Sequence, residues 1–334
     1  MDTDAGQIPV VKTEMLLKDI LATVGARAGI TRNNYRVIPG LYAAGKPDEN
    51  SEVLVTANFK LTFDILRKNL EKLNVWILVL DTVGVNVWCA AGKGTFSTKE
   101  LVRRIELSGL DKVVKHRRLI LPQLSATGIS AKDVKKMCGF SVIYGPVRAQ
   151  DIQAFLENGR KADPYMRQVT FTFAERIILT PVELNIAMKY VVMTAVALLV
   201  ISGIGPGIFS LKSAGERGWI SIVFLLTGLL SGAVVTPALL PLLPFKEFAA
   251  KGIISGSLFA LCALFISSAS SLGMSAMIAL FLFGTAISSF LAMNFTGSTP
   301  FTSPSGVERE MKQFIPVQAG AVVISLVLWI YSAF

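Results

Sequence analysis

The sequence predicts an α/β unit built on an open, Rossmann-like parallel sheet, followed by an all-α unit of five transmembrane helices. Three observations carry this expectation. Charge is unevenly placed: seven of the 33 Lys+Arg and four of the 23 Asp+Glu lie beyond residue 186. Before residue 160, short apolar runs alternate with segments of helical period, the pattern of strands joined by crossover helices. Beyond residue 186, long intervals carry no charge, and a span needs roughly 20 apolar residues. With 52% hydrophobic and 17% charged residues, the chain is too apolar for disorder.

Residues 1–50 read as an extension packed on the α/β domain, with an amphipathic helix over Thr13–Val24 and a turn-rich run over Ile38–Pro47. Residues 51–160 form the domain itself. Its expected strands are Glu52–Thr56, Val75–Leu80, Val113–Leu121 and Phe140–Tyr144. Its expected helices are Leu61–Leu73, Lys99–Leu107, Ala131–Cys138 and Ala149–Glu157. Ser97 or Thr98, and Ser130 with Asp133 three residues on, are N-cap signals. Residues 161–186 are expected to be an interfacial linker to the membrane domain, residues 187–334.

Each strand run stops in small or polar residues, and open α/β sheets bind ligands beyond the carboxyl ends of their strands. Thr56, Asn58, Gln123, Gly145 and Pro146 are therefore expected to line a crevice suited to a large, flat ligand. Neither GxGxxG nor GxxxxGK[ST] occurs, so dinucleotides and nucleoside triphosphates fit poorly. After the second strand comes an insert, Gly84–Gly94, too apolar for a solvent loop. In it Ala90, Ala91 and Gly92 remove side-chain bulk beside Cys89, Trp88 offers an apolar face and Lys93 an anion partner. The residues alone leave two readings of Cys89 open: a buried, inert thiol, or a thiol presented to a flat body at the crevice mouth.

Charge-free stretches place the spans at 190–211, 218–245, two within 252–307 broken near Ser267–Gly273, and 313–334. Loops holding Lys246/Lys251 and Arg309/Lys312 are expected inside, which weakly satisfies the positive-inside rule. Gly228-x-x-x-Gly232 and Gly252-x-x-x-Gly256 are close-packing signals. A hydroxyl-rich loop spans Asn294–Glu308. With no ionisable residue expected within the spans, a transporter or a receptor with a cytoplasmic ligand-binding domain is the weakest functional class.

Cys89, Cys138 and Cys262 include no CxxC pair, so no iron–sulfur cluster is expected in this chain. The lone His116 excludes sites that need two imidazoles. Basic residues are interleaved with acidic ones, which argues against nucleic acid and for a face held against anionic lipid. Met1–Pro9 lacks a basic n-region ahead of an apolar core, so the first unit is expected to stay in the cytoplasm, at the inner membrane.

The run Asn86-Val87-Trp88-Cys89-Ala90-Ala91-Gly92-Lys93 resembles the cap-helix signature of the mercury-methylating corrinoid proteins, the HgcA family. Val37–Asn58 and Thr296–Val307 also resemble that family, whose architecture is a corrinoid-binding α/β unit followed by five membrane helices. The first unit is similar as well to the corrinoid domain of the corrinoid iron–sulfur protein, without that relative's cluster cysteines or barrel. The resemblance implies a corrinoid cofactor, cobalamin or a related cobamide, with Cys89 as its lower axial cobalt ligand. It implies that Asn86, Val87, Trp88, Ala90, Ala91, Gly92 and Lys93 shape the cap. The implied activity is corrinoid-dependent methyl transfer to Hg(II), with the methyl group leaving as a carbanion or radical equivalent. An anionic thiolate donates more strongly than imidazole or water, which favours that outcome and makes cobalt harder to reduce. The implied partners are a ferredoxin-like reductant carrying [4Fe-4S] clusters and a methyltetrahydrofolate-dependent methyl donor. His116, in Val-Lys-His-Arg-Arg, does not match the D-x-H-x-x-G motif of His-ligated corrinoid enzymes. The alternative is a corrinoid methyl carrier of one-carbon metabolism whose native acceptor is not mercury.

Overall fold

The computed structural model describes residues 1–267, 271–299 and 302–334. The chain divides into two compact units, Met1–Thr170 and Phe171–Phe334.

The first unit opens with a hairpin, β1 (Asp2–Thr3) and β2 (Gly6–Gln7), then β3 (Val10–Val11), α1 (Leu17–Arg27) and β4 (Gly40–Ala44). The α/β alternation follows: β5 (Val53–Ala57), α2 (Lys60–Lys68), β6 (Val75–Leu80), α3 (Val87–Lys93), α4 (Thr98–Ser108) and α5 (Leu110–Val113). It ends with β7 (Arg118–Leu121), α6 (Ala131–Cys138), β8 (Ser141–Tyr144) and α7 (Ile152–Glu157). The six-stranded sheet runs β3-β4-β6-β5-β7-β8. Its pairs are parallel except β4 with β6. β5 and β6 are buried along their whole length, as expected for strands covered on both faces. Val53, Val55 and Leu78 pack into one apolar layer, and Leu54, Ile77 and Val79 into the other.

Two sequence expectations are corrected here. The turn-rich run Ile38–Pro47 contains β4, whose Ala43 and Ala44 are fully buried as β4 pairs antiparallel along β6. Tertiary pairing overrides local turn composition. Of the strand expected over Val113–Leu121, only Arg118–Leu121 is extended. His116 interrupts it: Nδ1 accepts the Arg118 N–H at 3.2 Å and Nε2 faces the Ser51 carbonyl at 2.9 Å. That ring serves the frame.

An ion network ties the N-terminal residues to α2. Asp64 bonds Arg67 Nε at 2.7 Å and Lys60 Nζ at 2.5 Å, and Asp19 bonds Arg67 at 3.0 Å. Arg67 also donates to the carbonyls of Lys12 and Glu14. Burial opposes the Asp19 charge, but the Arg67 hydrogen bond, the Leu16 N–H and the nearby cations outweigh it and hold the carboxyl below its usual range.

The second unit holds α8 (Phe173–Ile177), α9 (Thr180–Ser202), a hairpin of β9 (Ile204–Gly205) and β10 (Ile208–Phe209), and α10 (Leu211–Leu230). A π-helical turn, Ser231–Val235, leads into α11 (Thr236–Ala238), and α12 (Phe248–Ile266), α13 (Met274–Asn294) and α14 (Pro304–Tyr331) follow. Among the described residues five segments are long and apolar enough to cross a membrane: Phe173–Ser202, Leu211–Ala238, Phe248–Ile266, Met274–Asn294 and Ser305–Tyr331. The residues expected as a linker, 161–186, divide between the two units, and the first membrane segment begins ahead of residue 187.

The glycine pairs do what their spacing predicts. A Cβ on Gly228 would lie 2.7 Å from the Gly284 carbonyl oxygen, and one on Gly252 would lie 2.8 Å from that of Ser288. Both helices therefore approach α13 backbone to backbone. Lys212, Arg217, Lys251, Arg309 and Lys312, expected in loops, lie within the first three turns of α10, α12 and α14. The helices run past their apolar stretches, and long cationic stems tolerate that depth. Glu310, buried in α14, accepts the Ala249 N–H at 2.7 Å and the Thr296 hydroxyl at 3.1 Å. It lies near the start of the fifth apolar segment, Ser305–Tyr331, ahead of the charge-free stretch 313–334. The expected break at Ser267–Gly273 and the hydroxyl-rich loop at Thr296–Val307 lie partly outside the described residues.

Candidate functional site

The parallel core of the first unit reads β6-β5-β7-β8, so the chain winds one way from β5 to β6 and the other way from β5 to β7. Such a reversal opens a crevice between the carboxyl ends of the two diverging strands. An apolar cavity of about 300 Å³ lies there, with Thr56 and Leu121 at the strand ends and Ile65 and Ile152 on flanking helices. Asn86, Val87 and Trp88 of the cap segment and Pro146 line it as well.

The insert forms the short helix α3. Asn86 is its N-cap, with the side-chain oxygen accepting the Cys89 N–H at 2.9 Å. Gly94 closes the helix in the left-handed conformation, at φ 77°. Val87, Ala90 and Ala91 face the core, while Trp88, Cys89, Gly92 and Lys93 are exposed. The reading of Cys89 as a buried thiol is thereby removed.

The small residues act differently from the sequence expectation. Ala90 and Ala91 do not strip bulk from the ligand side; they are 0% and 4% exposed and sit in the core beneath the helix. A Cβ on Gly128 would lie 3.0 Å from the Ala91 Cα, so Ala91 and Gly128 together allow α3 to lie flat on the loop before α6. Gly92 is exposed, with open space where a Cβ would stand.

Three of the expected crevice residues also serve the frame. Asn58 is buried, and its Oδ1 accepts the N–H of Thr82 at 3.0 Å and of Gly84 at 2.9 Å, while its Nδ2 donates to Asp81 at 3.1 Å. It latches the end of β5 to the loop that enters α3. In that loop Val83 holds φ 57°, costly for a β-branched residue, and Asp81 accepts its N–H at 3.1 Å. Gln123 accepts from Arg167 at 3.1 Å. Gly145 leaves room for Ile120, whose Cγ2 would lie 3.0 Å from an added Cβ. Thr56 and Pro146 reach the cavity itself.

Sequence reasoning missed Thr82, Gly128 and the α2 wall. Thr82 is fully buried, and its hydroxyl donates to the Val85 carbonyl at 2.6 Å. The small-residue run Ser125-Ala-Thr-Gly128 was the available signal for a close approach.

Among the described residues no group of three His, Cys, Asp or Glu side chains converges to hold a metal ion. A metal at Cys89 must therefore bring its other ligands with it, as one held in a macrocycle does. Trp88, Thr56 and Pro146 line the apolar cavity, and Cys89 is exposed on the same short helix as Trp88; these are residues that could hold such a group. The other thiols differ: Cys138 donates to the Val134 carbonyl at 3.2 Å, and Cys262 lies on the outer face of α12.

Residues 15–156 match the family described as CO dehydrogenase/acetyl-CoA synthase delta subunit. The chain is similar to the acetyl-CoA decarbonylase/synthase complex gamma subunit of Methanocaldococcus jannaschii, 37% identical over 129 residues, covering 38% of this chain and 26% of that protein. The same subunit from Methanopyrus kandleri is 37% identical over 128 residues, covering 38% and 27%. The corrinoid/iron-sulfur protein large subunit of Moorella thermoacetica is 34% identical over 122 residues, covering 36% and 27%. The chain thus spans about a quarter of the length of these curated relatives. It is related to corrinoid-protein subunits of the acetyl-CoA type, and the family match falls within its first unit.

Proposed function

We propose that this chain is a membrane-anchored corrinoid methyltransferase in which the Cys89 thiolate is the lower cobalt ligand and Hg(II) is the methyl acceptor. One observation carries the cofactor half: Cys89 stands exposed on a capped, core-seated helix beside an apolar cavity at the sheet's switch point. The relatives' names support corrinoid chemistry in one-carbon metabolism. They favour a methyl carrier with a different native acceptor over mercury, which none of them mentions. The mercury reading rests on the resemblance of Asn86–Lys93 to the cap helix of the mercury-methylating proteins.

When bound, the corrinoid supplies a cobalt centre that carries a methyl group. The residues of the chain do the rest. Asn86 fixes the first turn of α3 through the Cys89 N–H. Ala90 and Ala91 anchor the helix to the core, so that the thiol is presented in one position. Cys89 would hold the metal as a thiolate, an anionic and therefore electron-rich donor. Asn58 and Asp81 hold the strained entrance loop. The partners that fit are a ferredoxin-like reductant with [4Fe-4S] clusters and a methyltetrahydrofolate-dependent donor. The five spans fix the chain in the inner membrane, the end carrying Lys246, Lys251, Arg309 and Lys312 facing the cytoplasm.

The decisive experiment compares the visible and EPR spectra of purified wild-type and Cys89→Ala protein with cobalamin, then assays methyl transfer with and without Hg(II). A spectrum that changes with Cys89, together with Hg(II)-dependent product, supports the whole reading. Identical spectra would remove the thiolate ligand. Methyl transfer to another acceptor, with none to Hg(II), would leave the one-carbon carrier.

A further inference from the structure

The second unit holds a cavity of about 550 Å³ at the end of the bundle where α12 and α14 begin. Its charged lining is Arg176, Lys246, Lys251 and Arg309 against Glu247 and Glu310, an excess of two positive charges. Both carboxylates belong to the balance, but Glu310 is committed to the Ala249 N–H and the Thr296 hydroxyl. Lys251 donates to the Leu240 carbonyl at 2.6 Å.

Arg176 is the unusual member. It is buried, 8% exposed, its guanidinium lies 6.0 Å from the Phe173 ring centre, and two of its nitrogens reach the carbonyls of Phe171 and Ala238 at 2.7 and 3.2 Å. Its Nε is buried without a hydrogen-bond partner, which costs free energy unless something completes it. Lys246 and Arg309 are exposed and make no ion pair among the described residues. The remaining wall includes Leu240 and Phe248, which are buried, and Phe245, which is exposed. A cavity with surplus cations, a buried arginine in its lining and an apolar wall, placed at the mouth of membrane-spanning helices, suits a group that is anionic at one end and greasy at the other.

We propose that this cavity is a phosphate-anion site that takes the headgroup of an anionic phospholipid. Its phosphate meets Arg176, Lys246 and Arg309, and its glycerol and acyl region meets the apolar wall. The site is separate from the cobalt chemistry assigned to the first unit, and its failure would leave that reading untouched.

The test uses the full chain in nanodiscs of phosphatidylcholine, with or without phosphatidylglycerol, reading thermal stability and the lipid retained after detergent extraction. Phosphatidylglycerol is expected to be retained over phosphatidylcholine and to raise the melting temperature. Lys246→Gln/Arg309→Gln is expected to weaken that retention roughly tenfold or more; both residues are exposed, so the variant should fold. Lys246→Arg should keep it, and Lys212→Gln, at the other end of the bundle, should not change it. Equal retention of the two lipids, or undiminished preference in the double variant, would overturn the proposal. So would stabilisation by inorganic phosphate in pure phosphatidylcholine to the level reached with phosphatidylglycerol, because the occupant would then be a free anion.

Discussion

Helices α3 and α6 are built by the same local rules and put their cysteines to different use. Each is capped by a side-chain oxygen, Asn86 to the Cys89 N–H and Ser130 to the Asp133 N–H, and each ends on a left-handed glycine. Cys89 lies in the first turn on the exposed side of α3. Cys138 is the last residue of α6, where its thiol donates to the Val134 carbonyl. Burial pushes the Cys138 thiol above its ordinary range and keeps it protonated. A thiol that has spent its proton on a helix carbonyl is a packing group; a thiol on an outward face beside a cavity is available as a ligand. Helix position and facing separate the two, and residue type does not.

The largest test of that contrast is the pair of alanine substitutions. Cys89→Ala should reduce methyl transfer to background with the melting temperature unchanged, while Cys138→Ala should keep the activity within about twofold and lose at most about 1 kcal/mol. Comparable activity losses in both would erase the distinction. Next in size is Asn58→Ala, which strands the donors of the entrance loop. A loss of about 2–4 kcal/mol in urea unfolding is expected, with weaker corrinoid retention. Ala91→Leu tests whether α3 is seated from below: against Gly128 the larger side chain should cost about 1–3 kcal/mol, and corrinoid occupancy should fall with it. If occupancy fell without loss of stability, the residue would be pressing on the ligand instead of the core.

The two caps give a smaller and more discriminating comparison. Asn86→Ala and Ser130→Ala should each cost about 1 kcal/mol, but Asn86→Ala alone should alter the cobalt spectrum. The smallest effect is a pH response far from the site. Because the Asp19 carboxyl is held below its usual range, its contribution is present in full above the ordinary carboxylate range. It is lost as pH falls through the lowered native value. Hydrogen exchange of α1 should rise in acid before that of β5 and β6, and Asp19→Asn should remove the difference.

Much of the fold could be read from particular residues. The buried strands β5 and β6 are continuous apolar runs, and Ser97 and Ser130 cap α4 and α6 as their spacing predicted. The five apolar segments of the second unit follow from charge placement. β4 could not be read, because its residues form a strand only through pairing along β6. Around the cavity, Trp88, Thr56 and Pro146 could be singled out from their neighbours in the sequence, and Asn86 only through the family resemblance. Asn58, Gln123 and Gly145 were visible as special residues, but their partners Thr82, Arg167 and Ile120 are 24, 44 and 25 residues away. No local pattern encodes such pairings.

The sequence by itself determined the division into a charged α/β unit and an apolar helical unit, because charge and hydrophobic period act locally along the chain. It also determined that one cysteine stands in a short run of small residues. Only the tertiary structure decided which way those small residues face: Ala90 and Ala91 turn inward because α3 must lie against Gly128, and Cys89 is thereby left outward. Facing is set by what a helix packs on, and that surface is assembled from residues distant in the chain.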